Sequence, residues 1–129
     1  MTKILVAEDN PSNRELFREL LESWGYEVVE AVDGEAALAV ARDAAPDAVL
    51  LDLQMPLLDG YAVLQRLRQD PALAHLPVMA LTAFAMRGDR EKALAFGFDA
   101  YHSKPINGQV LKRDVEQLLK ARGQAIENE

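Results

Sequence analysis

The sequence contains no cysteine, which excludes disulfide bonds, thiolate nucleophiles and thiolate-ligated metal centres. It has no apolar run close to the roughly 20 residues that a transmembrane helix needs, and its acidic side chains begin at Glu8, too early for a signal peptide. Lys and Arg number 14 against 21 Asp and Glu, and the net charge of −7 argues against direct binding to nucleic acid. We therefore expect a cytoplasmic protein whose partners are other proteins, small molecules and cations.

The chain length of 129 residues is that of one ordinary domain, and half of the residues are hydrophobic, as in globular proteins. Short apolar runs alternate five times with longer segments whose apolar residues recur at helical spacing. This alternation indicates a parallel sheet flanked by helices, the α/β class. We expect one domain over residues 1–122 and a polar C-terminal tail over residues 123–129.

The predicted helices carry start signals, such as Asn10 before Pro11 and Asn107 before the last helix. The helix at about 88–96 has a thin apolar stripe, so it should be the least firmly packed of the five. The first apolar run is nearly all apolar, as expected for a central strand that is covered on both faces. The five strands are predicted at Lys3–Ala7, Tyr26–Ala31, Ala48–Leu51, Val78–Leu81 and about Ala100–His102.

Polar side chains follow four of the five predicted strands at the point where each strand ends. Glu8 and Asp9 follow the first strand, Asp52 the third, Thr82 the fourth and Lys104 the fifth. In an open parallel sheet, ligands bind beyond the carboxyl ends of the strands. We therefore expect three carboxylates, one hydroxyl and one ammonium to meet at a single edge of the sheet.

Three carboxylates held close together repel one another unless a cation or a shared proton offsets the repulsion. Magnesium is the best match, because soft-metal sites use Cys or clustered His, and this chain has neither. With a metal present, Asp52 is best placed to act as a nucleophile toward a phosphoryl group, while Glu8 and Asp9 suit metal binding. Lys104 and Thr82 would stabilise the negative charge on the phosphoryl oxygens.

Other charged or polar residues have plainer interpretations. We expect structural or surface roles for the two histidines, His75 and His102. Lys104 is expected to be an exposed ammonium, whose removal impairs function more than folding. Arg14 and Arg18 lie beside the apolar face of the first helix and are either solvated charges or part of a docking surface.

The sequence resembles the receiver domains of two-component response regulators from about Thr2 to Arg122. The resemblance rests on four motifs at the polar strand ends, which are highly specific together. They are Val6-Ala7-Glu8-Asp9-Asn10, Leu50-Leu51-Asp52-Leu53-Gln54-Met55-Pro56 with Asp59-Gly60, Ala80-Leu81-Thr82-Ala83, and Tyr101-His102-Ser103-Lys104-Pro105. The stretch from Thr82 to Asp89 looks most like single-domain regulators of the DivK kind and receivers attached to hybrid kinases.

The resemblance implies a doubly wound five-stranded parallel sheet in the order 2-1-3-4-5 with five helices, the flavodoxin-like or CheY-like arrangement. It implies that Asp52 accepts a phosphoryl group from a phosphohistidine on a histidine kinase or histidine phosphotransfer protein. Magnesium would then be held by Asp9, Asp52 and the main-chain carbonyl of Gln54. Glu8 would act mainly through a water molecule on the metal.

The resemblance also implies a switch, in which Thr82 moves toward the phosphate and Tyr101 rotates inward behind it. The affected surface is the fourth helix, fifth strand and fifth helix, which would bind a downstream protein or support a phosphorylation-dependent dimer of an otherwise monomeric chain. The Lys104–Pro105 bond is expected to be cis. Phe84, an apolar residue two places after Thr82, is expected to shield the phosphoryl group and slow its hydrolysis.

Three alternative functions share some of these features. An aspartate-nucleophile phosphatase carries a second Asp two residues after the nucleophile, where this chain has Gln54. A flavin or dinucleotide carrier uses a glycine-rich loop after the first strand, where this chain has the acidic segment 8–12. A receiver cut from a hybrid kinase or a longer regulator would have the same chemistry, although Met1 so close to the first strand favours a complete small protein.

Overall fold

The fold is described by a computed structural model for residues 1–83 and 86–127, with side chains described as far as residue 120. Within these residues, five strands alternate with five helices. The strands are β1 (Lys3–Ala7), β2 (Glu27–Ala31), β3 (Ala48–Asp52), β4 (Val78–Thr82) and β5 (Ala100–Ser103). The helices are α1 (Pro11–Ser23), α2 (Gly34–Ala44), α3 (Gly60–Gln69), α4 (Asp89–Phe96) and α5 (Gly108–Glu127).

All neighbouring strands of the sheet are parallel, and their order is β2-β1-β3-β4-β5. This confirms the doubly wound α/β arrangement expected from the sequence. The chain moves to one side of β1 to form β2 and to the other side to form β3, so the strand order reverses between β1 and β3. The carboxyl ends of these two strands therefore flank the crevice in which such sheets bind ligands.

Helices cover both faces of the sheet because the strands are apolar on both sides. β3 and β4 are buried along their full length. Leu51 belongs to a core with residues of α2, α3 and α4, whereas its neighbour Leu50 belongs to a second core with residues of α1 and α5. In the described part of the chain, no helix is long and apolar enough to cross a bilayer.

Side-chain caps fix the starts of four helices. Each cap accepts a hydrogen bond from the main-chain N–H three residues further on, which satisfies one of the free donors in the first turn. The capping residues are Asn10, Asp33, Asp59 and Asn107. By contrast, α4 follows Gly88 with no side-chain cap and buries only Ala93. The thin apolar stripe predicted for this helix is thus present, and α4 is the least anchored of the five.

Several element ends differ from the predicted ones. β3 and β4 each extend by one residue, so Asp52 and Thr82 are the last residues of their strands. The backbone of α5 continues across Gly123 to Glu127, where the sequence predicts only a polar tail. A glycine inside a helix costs only about 1 kcal/mol relative to alanine, and no proline follows to end this one. The division of the chain at residue 122 stays a prediction.

Candidate functional site

Three charged side chains from separate parts of the chain meet at the carboxyl edge of the sheet. Lys104 follows β5 and places its Nζ 2.5 Å from Glu8 Oε1 and 3.2 Å from Asp52 Oδ2. Glu8 directly follows β1, and Asp52 ends β3. Both acidic residues are buried, with Glu8 0% and Asp52 3% exposed. The structure therefore brings these three residues together as the sequence predicts.

The expectation that Lys104 is an exposed ammonium is wrong, because its side chain is only 11% exposed. The Lys104 N–H also donates to the Thr82 carbonyl at 2.7 Å, which holds the chain after β5 against the end of β4. The Lys104–Pro105 peptide bond is cis, as expected. Since the ammonium is buried between two carboxylates, its removal would leave buried negative charge without a partner.

The Asp52 carboxylate is held by the main chain as well as by Lys104. The Gln54 N–H donates to Asp52 Oδ1 at 2.9 Å. The start of α3 packs closely against the end of β3, and this is possible because residue 60 is glycine. A Cβ atom at Gly60 would lie 2.7 Å from Asp52 O and 2.9 Å from Leu53 Cα, which is too close. Each oxygen of the carboxylate thus has a donor, which fixes its orientation at the edge of the sheet.

Thr82 ends β4 and is 1% exposed. Its hydroxyl donates to Gln54 Oε1 at 3.1 Å, so the Gln54 side chain links the loop after β3 to the end of β4. Sequence reasoning did not foresee this contact, because it depends on a strand end and a loop that are distant along the chain. The role of the Gln54 main-chain carbonyl as a metal ligand stays a prediction.

An acidic cluster lies beside the Lys104 ammonium. It consists of Glu8, Asp9 and Asp52, and one carboxylate oxygen of each residue lies within 4.8 Å of the others. Three carboxylates and one ammonium leave an excess of two negative charges, which a divalent cation would neutralise. The ligand atoms are all hard oxygens, and these suit magnesium. Asp9 is exposed while the other two are buried, so a cation would approach from the Asp9 side.

Burial raises the pKa of Glu8 from 4.5 to about 7, and the neighbouring Asp52 adds to this effect while Lys104 opposes it. Burial alone would lower the pKa of Lys104, but the hydrogen bonds and charges of Glu8 and Asp52 outweigh it, and the pKa is raised. Near neutral pH, the cluster is therefore poised between taking up a proton on Glu8 and binding a cation.

The raised pKa of Glu8 predicts that the metal-free protein loses stability as the pH rises toward neutrality. The unfolded chain releases this proton near pH 4.5 and the folded chain near pH 7. Between these values the folded state binds more protons, so its free energy of unfolding falls by up to about 1.4 kcal/mol per pH unit. Glu8→Gln should remove this slope in urea unfolding with a chelator present, and equal slopes for both proteins would contradict the assignment.

Comparison with known proteins identifies the family. Residues 4–116 match the response regulator receiver domain. The chain belongs to the response regulator receiver family. It is 46% identical over 108 residues to the polar-differentiation response regulator DivK of Brucella ovis, an alignment that covers 83% of this chain and 88% of the relative. Receivers are signalling switches of two-component systems, so the phosphatase and the flavin or dinucleotide carrier are set aside.

Solved receiver structures share the fold. The receiver domain of a sensor histidine kinase from Pseudomonas aeruginosa PAO1, with a magnesium ion coordinated in its active-site cleft, is 36% identical with a TM-score of 0.84. The chemotaxis protein CheY4 of Vibrio cholerae is 29% identical with a TM-score of 0.85. Each superposition covers 92% of this chain and 98% of the other. The CheY-like arrangement of this receiver is thereby confirmed.

Tyr101, the predicted switch residue of the receiver, lies on β5 and is 8% exposed. Within the described residues, its hydroxyl has no hydrogen-bond partner. Burial raises the pKa of Tyr101, and the Asp89 carboxylate adds to the effect. The side chain is therefore already buried in this structure, and its coupled movement with Thr82 stays a prediction.

The receiver's histidines differ in their surroundings. His75 is exposed in the segment after α3. His102 on β5 is 5% exposed, with its Nδ1 3.5 Å from Asp114 Oδ2. The potential metal cluster found among the described residues contains only carboxylates, and the non-ligand roles of both histidines stay predictions. Phe84, predicted to slow hydrolysis, lies outside the described residues.

Arg14 is a residue of the receiver site that sequence reasoning did not identify. Its Nη1 donates to the Glu8 carbonyl at 2.8 Å and lies 3.4 Å from the Asp9 carbonyl oxygen. The only signal in the sequence is its position in the first turn of a helix that begins two residues after the acidic pair. That position is equally compatible with a solvated charge, so the contact becomes visible only in the structure.

Proposed function

We propose that this receiver is a single-domain response regulator that accepts a phosphoryl group on Asp52 from a phosphohistidine of a histidine kinase or histidine phosphotransfer protein. The observation that carries the proposal is the buried Asp52 carboxylate, which contacts the Lys104 ammonium and lies within 4.8 Å of the Glu8 and Asp9 carboxylates. The 46% identity to DivK, over 88% of that relative, supports a regulator of the DivK type. We place the protein in the cytoplasm, with no membrane or nucleic-acid contact of its own.

In the proposed transfer, an oxygen of the Asp52 carboxylate attacks the phosphorus atom of phosphohistidine. A P–O bond forms as the P–N bond breaks, and the electron pair of the broken bond returns to the imidazole nitrogen of the donor. Asp9, Asp52 and the Gln54 carbonyl would hold magnesium, with Glu8 acting through a water molecule, and the bound ion would supply positive charge to the phosphoryl oxygens. The Gln54 N–H orients the nucleophile through its 2.9 Å hydrogen bond.

Lys104 and Thr82 stabilise the phosphorylated form in this mechanism. The Lys104 ammonium already lies 3.2 Å from Asp52 Oδ2. In the phosphorylated form, it donates a hydrogen bond to a phosphoryl oxygen. The Thr82 hydroxyl, which donates to Gln54 Oε1, turns toward the new anion. Water later attacks the phosphorus, and a new P–O bond forms as the P–O bond to Asp52 breaks, which releases inorganic phosphate and regenerates the carboxylate. The protein is thus a switch that assists its own phosphorylation and dephosphorylation.

The proposed output surface is formed by α4, β5 and α5. A cavity of about 680 Å³ lies along this surface, with Arg90, Tyr101 and Asp114 among its lining residues. Since α4 buries only Ala93, little free energy is needed to shift this helix when the residues around Thr82 rearrange. A downstream protein would recognise the shifted surface, or a second copy would bind there in a phosphorylation-dependent dimer.

Removing magnesium should abolish phosphorylation. Incubation with acetyl phosphate and magnesium is expected to label the wild-type protein, and a chelator is expected to reduce labelling to background, with recovery when magnesium is restored in excess. The physical reason is that the acidic cluster repels an incoming phosphoryl group unless a cation offsets its charge. Labelling that persists in the chelator would contradict the metal's role. Asp9→Asn should raise the magnesium concentration needed for half-maximal labelling.

A further inference from the structure

Arg14 extends from the first turn of α1 to the main chain of the acidic loop. Its Nη1 donates to the Glu8 carbonyl at 2.8 Å and lies 3.4 Å from the Asp9 carbonyl oxygen. The side chain is only 17% exposed, so it is not a freely solvated arginine. These bonds go to main-chain carbonyls, which leaves the carboxylate oxygens of both acidic residues to other partners.

Residues of β2 also hold the acidic loop in place. The Glu8 N–H donates to the Ala31 carbonyl at 3.1 Å. Glu30 on β2 approaches Arg14, with 4.0 Å between Oε2 and Nε, and its other oxygen pairs with Arg18 Nη1 at 3.1 Å. The main chain of the loop is therefore held on both sides, while the Asp9 carboxylate remains exposed.

We propose that Arg14 is a positioning residue for the magnesium site. Arg14 holds the main-chain carbonyls of Glu8 and Asp9. It thereby positions their carboxylates close to Asp52 before a cation binds. The inference rests on the proposed function, because it takes the acidic cluster to be the magnesium site. Residues that orient metal ligands without touching the metal typically lower the metal affinity by about 10- to 100-fold when they are removed.

The positive charge of Arg14 acts in the opposite direction. A cation near the cluster repels magnesium, so removing it would tighten binding if charge were its only effect. Glu30 and the surrounding solvent reduce this repulsion. The direction of the change therefore distinguishes the two effects: loss of positioning weakens binding, whereas loss of repulsion strengthens it.

The test is a magnesium titration of the whole chain with no phosphodonor present. NMR monitors the titration by the chemical shifts of the backbone amides of Asp9 and Gln54. Arg14→Gln should raise the dissociation constant about 10-fold. Arg14→Lys keeps the charge but lacks the guanidinium whose Nη1 contacts both carbonyls, so it should also weaken binding. Arg18→Gln is the matched control, because Arg18 shares Glu30 but donates to the Val28 carbonyl at 3.3 Å instead of the acidic loop.

Unchanged or tighter magnesium binding by both Arg14 variants would overturn the inference and leave the proposed function intact. Equal weakening by Arg18→Gln would also overturn it, since the effect would then come from general packing of α1 against β2. If the wild-type protein itself fails to bind magnesium, the proposed function fails first. Thermal unfolding of each variant confirms that the titrated protein is folded, and Arg14→Lys carries the test if Arg14→Gln does not fold.

Discussion

Replacing Asp52 with asparagine should reduce phosphorylation of this receiver to background. Asparagine has nearly the same shape, and its carbonyl oxygen can still accept the hydrogen bond from the Gln54 N–H. Its amide, however, is not a nucleophile toward phosphorus. Lys104 keeps Glu8 as a partner at 2.5 Å, so the fold should persist. The measurement is incorporation of phosphate from acetyl phosphate and from a phosphorylated histidine kinase, both with magnesium.

A matched control for this substitution is Asp59→Asn. Asp59 lies in the same β3–α3 segment, and its Oδ1 caps α3 by accepting from the Ala62 N–H at 2.9 Å. Asparagine caps a helix about as well as aspartate, so this variant should be labelled like the wild type. Undiminished labelling of Asp52→Asn would mean that the nucleophile is another residue.

Replacing Lys104 with alanine should slow phosphoryl acceptance by about 100- to 1,000-fold, the usual effect of removing one donor from a developing negative charge. The ammonium lies 3.2 Å from Asp52 Oδ2, where it can reach an oxygen of the incoming phosphoryl group. The measurement is the initial rate of labelling by acetyl phosphate at saturating magnesium. Lys112 is exposed on α5, so Lys112→Ala is the control and should leave the rate unchanged. A wild-type rate for Lys104→Ala would contradict this role.

The same substitution should also lower the stability of the metal-free protein, by an amount that depends on pH. Removing one partner of a buried ion pair costs about 3–5 kcal/mol when the other charge stays in place. Lys104 lowers the pKa of Glu8, so in the variant this carboxyl takes up a proton at a higher pH than in the wild type, and at lower pH part of the cost disappears. Urea unfolding in a chelator should therefore show a larger loss above pH 7 than below it. A loss independent of pH would count against the Glu8–Lys104 pair.

The fold follows from the sequence because its signals are local. Apolar runs such as Ala48–Leu51 between helical patterns favour strands that are covered on both faces, and caps such as Asn10 and Asp59 mark where helices begin. Because the strands are parallel, their carboxyl ends meet at one edge of the sheet, independently of the loop conformations. For this reason Asp52 and Thr82 could be assigned to one edge of the sheet before their contacts were known.

The features that the sequence did not reveal depend on contacts between distant segments. Whether Lys104 is exposed or buried is decided by Glu8, which lies 96 residues away along the chain. The hydrogen bond from Thr82 to Gln54 joins the end of β4 to the loop after β3, and no local pattern encodes it. Arg14 looks like a surface charge until the path of the acidic loop is known. Site chemistry is thus predictable by residue type and position, but the environment of each group is not.

The most direct measurement is to find which residue of the wild-type protein carries the phosphoryl group. After incubation with acetyl phosphate and magnesium, borohydride would reduce the acyl phosphate to an alcohol, and mass spectrometry of the peptides would locate the altered side chain. We predict reduction at Asp52, dependent on magnesium and absent without the phosphodonor. Reduction at Asp9 or another carboxylate, with Asp52 unchanged, would contradict the assignment of the phospho-acceptor.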